Sequence, residues 1–129
     1  MIRGIRGATT VERDDAEAII SATMELLQQM AEENGIAPEA MASIFFSLTP
    51  DLSAAFPAEA ARKLGWKWVP VICMRELSVP DALPKAIRVI MMAETSASQR
   101  AVRHIYLGRA ESLRTDLDDD TGEGDQNVI

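Results

Sequence analysis

Apolar residues recur along this chain with two different periods, and each change of period marks a predicted element. Between residues 16 and 33, Ala16, Ile19, Ile20, Thr23, Leu26, Leu27 and Met30 fall three or four places apart. That spacing predicts an amphipathic helix with the stripe on the core. Asp14, three places before Glu17, has the spacing of a capping box, and Asn34-Gly35 is a stop signal at the other end. Elsewhere the period is two. Residues 86–95 set Ile87, Val89, Met91 and Ala93 on one face of a strand and Arg88, Ile90, Met92 and Glu94 on the other. Residues 66–74 alternate Val69, Val71 and Cys73 against Trp68, Pro70, Ile72 and Met74; Pro70, with no N–H, marks an edge or a bulge. "VRHIYL" at 102–107 predicts a last strand with Val102, His104 and Tyr106 on one face.

Three shorter elements complete the pattern. Residues 2–9 read as a first strand. "SIFFSL" at 43–48 is almost wholly apolar, as a buried strand is, and "TPDL" ends it. "FPAEAARKL" fits a short helix with Pro57 in its first turn and Gly65 just past its end. Five strands and two helices predict an α+β (mixed α/β) domain: a mixed sheet of about five strands flanked by two helices. No repeat of fixed period and no internal linker appears.

Composition narrows the picture. A chain of 129 residues can bury roughly two-thirds of its unfolded surface in a single core. Its 47% hydrophobic and 26% charged residues are those of an ordinary globular protein, and no apolar run approaches the ~20 residues of a membrane span. No secretory signal pattern is present, and a single Cys allows no intrachain disulfide, so the expected address is cytoplasmic. One Cys and one His are too few for a structural zinc site, and neither GxxxxGK[ST] nor GxGxxG occurs. No metal and no nucleotide cofactor are expected.

The net charge of −7 resides at one end. Six of the 20 acids follow Arg114, which leaves 14 acids against 13 bases in residues 1–114. Residues 118–129 therefore read most simply as an acidic, solvated, disordered tail on a nearly neutral body, with an interaction tail as the alternative. With neither a basic excess nor a basic, aromatic-rich motif, nucleic-acid binding is not expected.

Charged residues inside the strands carry the candidate chemistry. Arg6, Arg88 and Glu76 lie in or just after apolar strands, where an unpaired buried charge costs several kcal/mol. Glu76 can neutralise one arginine. If Arg6, Arg88, Arg62 and Arg114 converge on one carboxylate, the surplus calls for an anionic ligand, and guanidinium forks match carboxylates. The opening "RGIRG" adds glycines that allow close approach to the backbone. Alternation places Arg3 and Arg6 on opposite faces without saying which one faces a site.

The segments "IRGIRGATTVERD", "TPDLSAAFPAEAAR", "WVPVICMRE", "KAIRVIMM" and "RHIYL...LR", in this order from residue 1 to Leu117, resemble the monofunctional chorismate mutases of the trimeric α/β-barrel type. The resemblance implies a domain over residues 1–117, three chains packed as a pseudo-barrel, and sites at the clefts between them. It implies conversion of chorismate to prephenate by an intramolecular [3,3] rearrangement, which needs no nucleophile, acid–base pair or cofactor. Cations must instead hold a dicarboxylate in a compact geometry, and a fixed donor must meet the negative charge developing on the ether oxygen.

Carried over by position, the resemblance makes Arg88 the donor to the ether oxygen and to a substrate carboxylate, with Arg6 beside it. Glu76 would accept from the substrate hydroxyl and face the ring, and Tyr106 would bind a carboxylate. Cys73 would lie within reach of Glu76 and orient it. Phe56 and Ala58 would come from the adjacent chain, with Arg62 near the cleft mouth, and Leu113 and Arg114 would close over the substrate. Without the resemblance, Cys73 reads equally as an inert thiol, Phe56 as a staple at the helix start, and Arg62 and Arg114 as solvated residues. His104 has no place in the motif set and reads as structural. Glu59 stands where a Lys is common in this family, and Ile72 where some members carry a hydroxyl. The alternative from another class is a trimeric module that binds a small dicarboxylate without catalysis.

Overall fold

The apolar stripe from Ala16 becomes helix α1 (Ala16–Asn34), which buries Ile19, Thr23, Leu26, Leu27, Met30 and Ala31. The protein is described by a computed structural model over residues 1–116. The acidic stretch expected as a tail, 118–129, lies outside the described residues, as does Leu117.

The N-cap of α1 is Asp15, not Asp14: its carboxylate accepts the Ala18 N–H at 3.0 Å. Asp14 is one residue too early for that bond. Its carboxylate instead accepts the N–H groups of Ser53 and Ala54, each at 2.9 Å, and the Ser53 hydroxyl at 3.1 Å, tying a distant loop to the helix start. Gly35 ends the helix as expected, with the Ile36 N–H donating back to the Ala31 carbonyl at 2.9 Å.

Five strands follow from the alternating segments: β1 (Ile2–Thr10), β2 (Met41–Leu48), β3 (Val71–Arg75), β4 (Ala86–Glu94) and β5 (Ile105–Tyr106). They form one sheet in the order β3-β2-β4-β1-β5. β4 runs antiparallel to β1 and β2, while β1–β5 and β2–β3 are parallel. The expected five-strand mixed sheet is present, but two strands are shorter than their patterns. Residues 66–70 form a turn, in which the Val69 N–H donates to the Trp66 carbonyl, so β3 starts only after Pro70. The last strand retains only Ile105 and Tyr106. The short helix α2 is Glu59–Lys63, and 3₁₀ turns occupy Pro38–Ala40 and Gly108–Asp116.

The two faces of the sheet differ. Ile5, Ile44, Phe46, Val89 and Met91 point to the helix side and form the core with Leu26, Leu27 and Met30. Gly7 lies on that side too, where a Cβ would overlap the Met30 thioether and come within 3.2 Å of Leu26 Cδ1. This part of "RGIRG" exists to let α1 approach β1. The opposite face carries a row in direct register, Met74–Ser47–Arg88–Ala8–Tyr106, and beside it the row Ile72–Phe45–Ile90–Arg6. At its β5 end, Ala8, Tyr106 and Ala110 cluster with Leu83 and Leu113. At its β3 end Phe45, Ile72 and Met74 are 39%, 52% and 46% exposed.

Candidate active site

Arg88 occupies the middle strand, flanked in register by Ser47 on β2 and Ala8 on β1. Small neighbours on both sides leave room for its guanidinium to lie across the face. Its side chain is only 13% exposed, and Nε is buried without a hydrogen-bond partner among the described residues. Glu76 Oε1 stands 3.7 Å from that nitrogen, close enough to balance charge but not to satisfy the donor.

Glu76 is held from two directions. Its N–H donates to the Leu48 carbonyl at 2.7 Å, which prolongs the β2–β3 ladder one residue beyond Arg75. Its carboxylate accepts the Ser47 hydroxyl on the same oxygen that faces Arg88. Ser47 was not among the residues singled out from the sequence. Its signal was there to read: one hydroxyl in the otherwise apolar centre of "SIFFSL", on the strand beside Arg88.

Arg6 lies on the same face, one row over, and is half-buried. Arg3 takes the other side, donating to the Ala97 carbonyl at 3.2 Å, which resolves the ambiguity left by alternation. The Arg6 N–H donates to His104 Nδ1 at 2.9 Å, so the imidazole is a neutral acceptor with the structural role expected of it. Burial lowers the His104 pKa to about 4, and the Arg6 charge pushes in the same direction. Tyr106 is 5% exposed; burial pushes its phenol up while the charges of Arg6 and Arg88 pull it down. Tyr106 stands in the row of Arg88 across Ala8, and Arg6 lies two residues from Ala8 on the same face of β1. Leu113 packs beside Tyr106 from the 3₁₀ segment Gly108–Asp116, on which the backbone of Arg114 is the next residue.

The other expected residues gather elsewhere in the chain. Cys73 pairs in register with Phe46 and faces the helix side, where it and Ala58 pack against the core. Burial raises its thiol pKa, with the Ala58 N–H acting in opposition. Within one chain Cys73 therefore does not orient Glu76, contrary to expectation: the three-residue separation puts the two on opposite sides of the sheet. Phe56 is 73% exposed, and the Arg62 side chain, 75% exposed, lies 3.8 Å from Glu59. Among the described residues no three His, Cys, Asp or Glu side chains gather as metal ligands would. What Arg88, Arg6, Glu76 and Tyr106 can do together is hold carboxylates and donate to an oxygen that gains charge.

The model of the family chorismate mutase type I matches residues 2–117. The chain belongs to the chorismate mutase type I family. It is 52% identical over 118 residues to chorismate mutase AroH of Bacillus subtilis (strain 168), covering 91% of this chain and 93% of that one. The AroH chorismate mutase of Thermus thermophilus is 52% identical over 119 residues, covering 92% of this chain and 98% of the relative. Among solved structures, a chorismate mutase from Clostridium thermocellum superposes with a TM-score of 0.84 at 45% identity, over 85% of this chain and 98% of that one. As in the resemblance read from the sequence, the α+β sheet and the family agree. For a chorismate mutase type I chain, a face that offers guanidinium donors and a carboxylate without a nucleophile is chemically apt.

Proposed function

We propose that this chain is a chorismate mutase that rearranges chorismate to prephenate, the step leading toward phenylalanine and tyrosine. The observation that carries the reading is Arg88, whose buried Nε has no hydrogen-bond partner among the described residues, beside Glu76 and on the face shared with Arg6 and Tyr106. A buried charged donor left unmet is unfavourable by about 1–3 kcal/mol or more, so the site is preorganised for an acceptor. In the rearrangement the ether C–O bond breaks as the C–C bond forms within one molecule, and no proton or group passes to the enzyme. Catalysis then consists of holding the substrate compact and meeting charge on the ether oxygen.

Arg88 donates to that oxygen, Arg6 and Tyr106 bind substrate carboxylate, and Glu76 accepts from the substrate hydroxyl and faces the ring. Leu113 and Arg114 close the site from the C-terminal segment. The proposal includes a homotrimer. Two observations support it: Phe56, Ala58, Arg62 and Cys73 lie away from the Arg88 face, so one chain does not bring both groups around one ligand. Phe45, Ile72 and Met74 also leave an apolar sheet face open. No helix among the described residues is long and apolar enough to cross a membrane, and we place the enzyme in the cytoplasm.

The test is loss of chorismate absorbance with purified protein and with Arg88→Ala. Turnover that disappears in the variant supports the reading. Absence of turnover from the folded wild-type protein would overturn it, and binding of a dicarboxylate without turnover would put a binding module in its place.

A further inference from the structure

We infer that Ser47 is a positioning residue that holds Glu76 away from Arg88 and so keeps the guanidinium open to substrate; the inference rests on the mutase reading. Ser47 and Arg88 are direct neighbours across the β2–β4 pair, with both side chains on the same face. The Ser47 hydroxyl donates to Glu76 Oε1, which is also the carboxylate oxygen facing Arg88 Nε at 3.7 Å. A buried, charged N–H without a partner takes any acceptor within reach, and Glu76 is the carboxylate beside it. The hydroxyl fixes that carboxylate from the side of β2, while the backbone bond from Glu76 to Leu48 fixes its root. With the hydroxyl removed, Glu76 is free to turn and bring its carboxylate from 3.7 Å to hydrogen-bond distance of Arg88 Nε. The donor meant for the substrate is then occupied, and substrate must displace a charge-assisted bond to regain it.

Because the guanidinium–ether oxygen contact strengthens as the transition state forms, the loss falls mainly on kcat. For Ser47→Ala, kcat should drop about tenfold with KM changed by less than threefold, and Ser47→Thr, which keeps the hydroxyl, should recover most of the rate. The melting midpoint separates this from damage to the fold, since replacing one half-buried hydroxyl on a paired strand leaves the sheet intact. In a Glu76→Gln background, where the charge that would capture Arg88 is gone, Ser47→Ala should lose less than threefold. Wild-type turnover tests the mutase reading independently. If the wild type turns over chorismate and Ser47→Ala matches its kcat within twofold, or if Ser47→Thr fails to recover the rate, Ser47 does not position Glu76.

Discussion

The imidazole of His104 accepts the backbone N–H of Arg6 at 2.9 Å, so a ring remote in sequence fixes the strand residue that bears a site guanidinium. Protonating Nδ1 would replace that acceptor with a donor and set a second cation beside Arg6. The folded-state pKa of about 4 lies below the ordinary 6.5, so the unfolded chain takes up the proton first. The contribution is whole above pH 6.5 and is lost as pH falls through 4. The melting midpoint of the wild type should therefore fall between pH 7 and 4.5 by more than that of His104→Asn, whose side-chain oxygen accepts the same bond without titrating. Equal pH dependence in both would show that folding does not lower the His104 pKa and that the ring is not held as a neutral acceptor.

Arg88→Lys keeps the charge but not the planar fork by which, in the proposed mechanism, one guanidinium meets a carboxylate and the ether oxygen together. By the usual value of one oxyanion donor, kcat should fall about a hundred- to a thousandfold. Steady-state kinetics decide it: a variant within fivefold of wild type would mean that charge alone suffices at this position.

Gly7 faces Met30 and Leu26, whose side-chain ends occupy the space a Cβ would need. Gly7→Ala should destabilise the protein by about 1–3 kcal/mol through overpacking, and Met30→Ala should recover part of it by vacating the space. Denaturant unfolding of the two single variants and the double variant measures the coupling. Additive losses would indicate that the added methyl does not press on Met30.

Lys85, with φ 49, enters β4 in the left-handed region, and its N–H donates to both Asp51 carboxylate oxygens, at 3.2 and 3.0 Å. Thr49 completes the latch, donating its hydroxyl to Asp51 and accepting the Ala86 N–H at 3.0 Å. Burial pushes the Asp51 carboxyl up, but the Thr49 hydroxyl and the Lys85 N–H and charge hold it below the usual range. Asp51→Ala should cost about 1–3 kcal/mol by orphaning these donors, whereas Asp51→Asn, which keeps an acceptor, should cost less. Unfolding midpoints that rank the two the other way would show that the latch does not set the strand.

Local pattern determined much of this protein. The 3.6-residue stripe from Ala16 specified α1, and alternation in 86–94 put Val89 and Met91 on one face and Arg88 on the other. Both follow from side-chain geometry within a few residues, which no distant contact needs to supply. The separated motifs carried the family as well, because residue types preserved in order are a property of the string itself. Strand ends were less legible: alternation continues through 66–70 and 102–104, but pairing there depends on a neighbour, and Pro70 has no N–H to offer.

Tertiary structure alone decided which residues meet. Alternation separates Arg3 from Arg6 but cannot say which side α1 covers; that awaited Gly7 under Met30 and Arg3 on the Ala97 carbonyl. It cannot tell that Ser47 lies opposite Arg88, since their register is set by an antiparallel pairing across 41 positions of chain. Period fixes parity, whereas strand order and register, set by the burial of a whole core, fix neighbours.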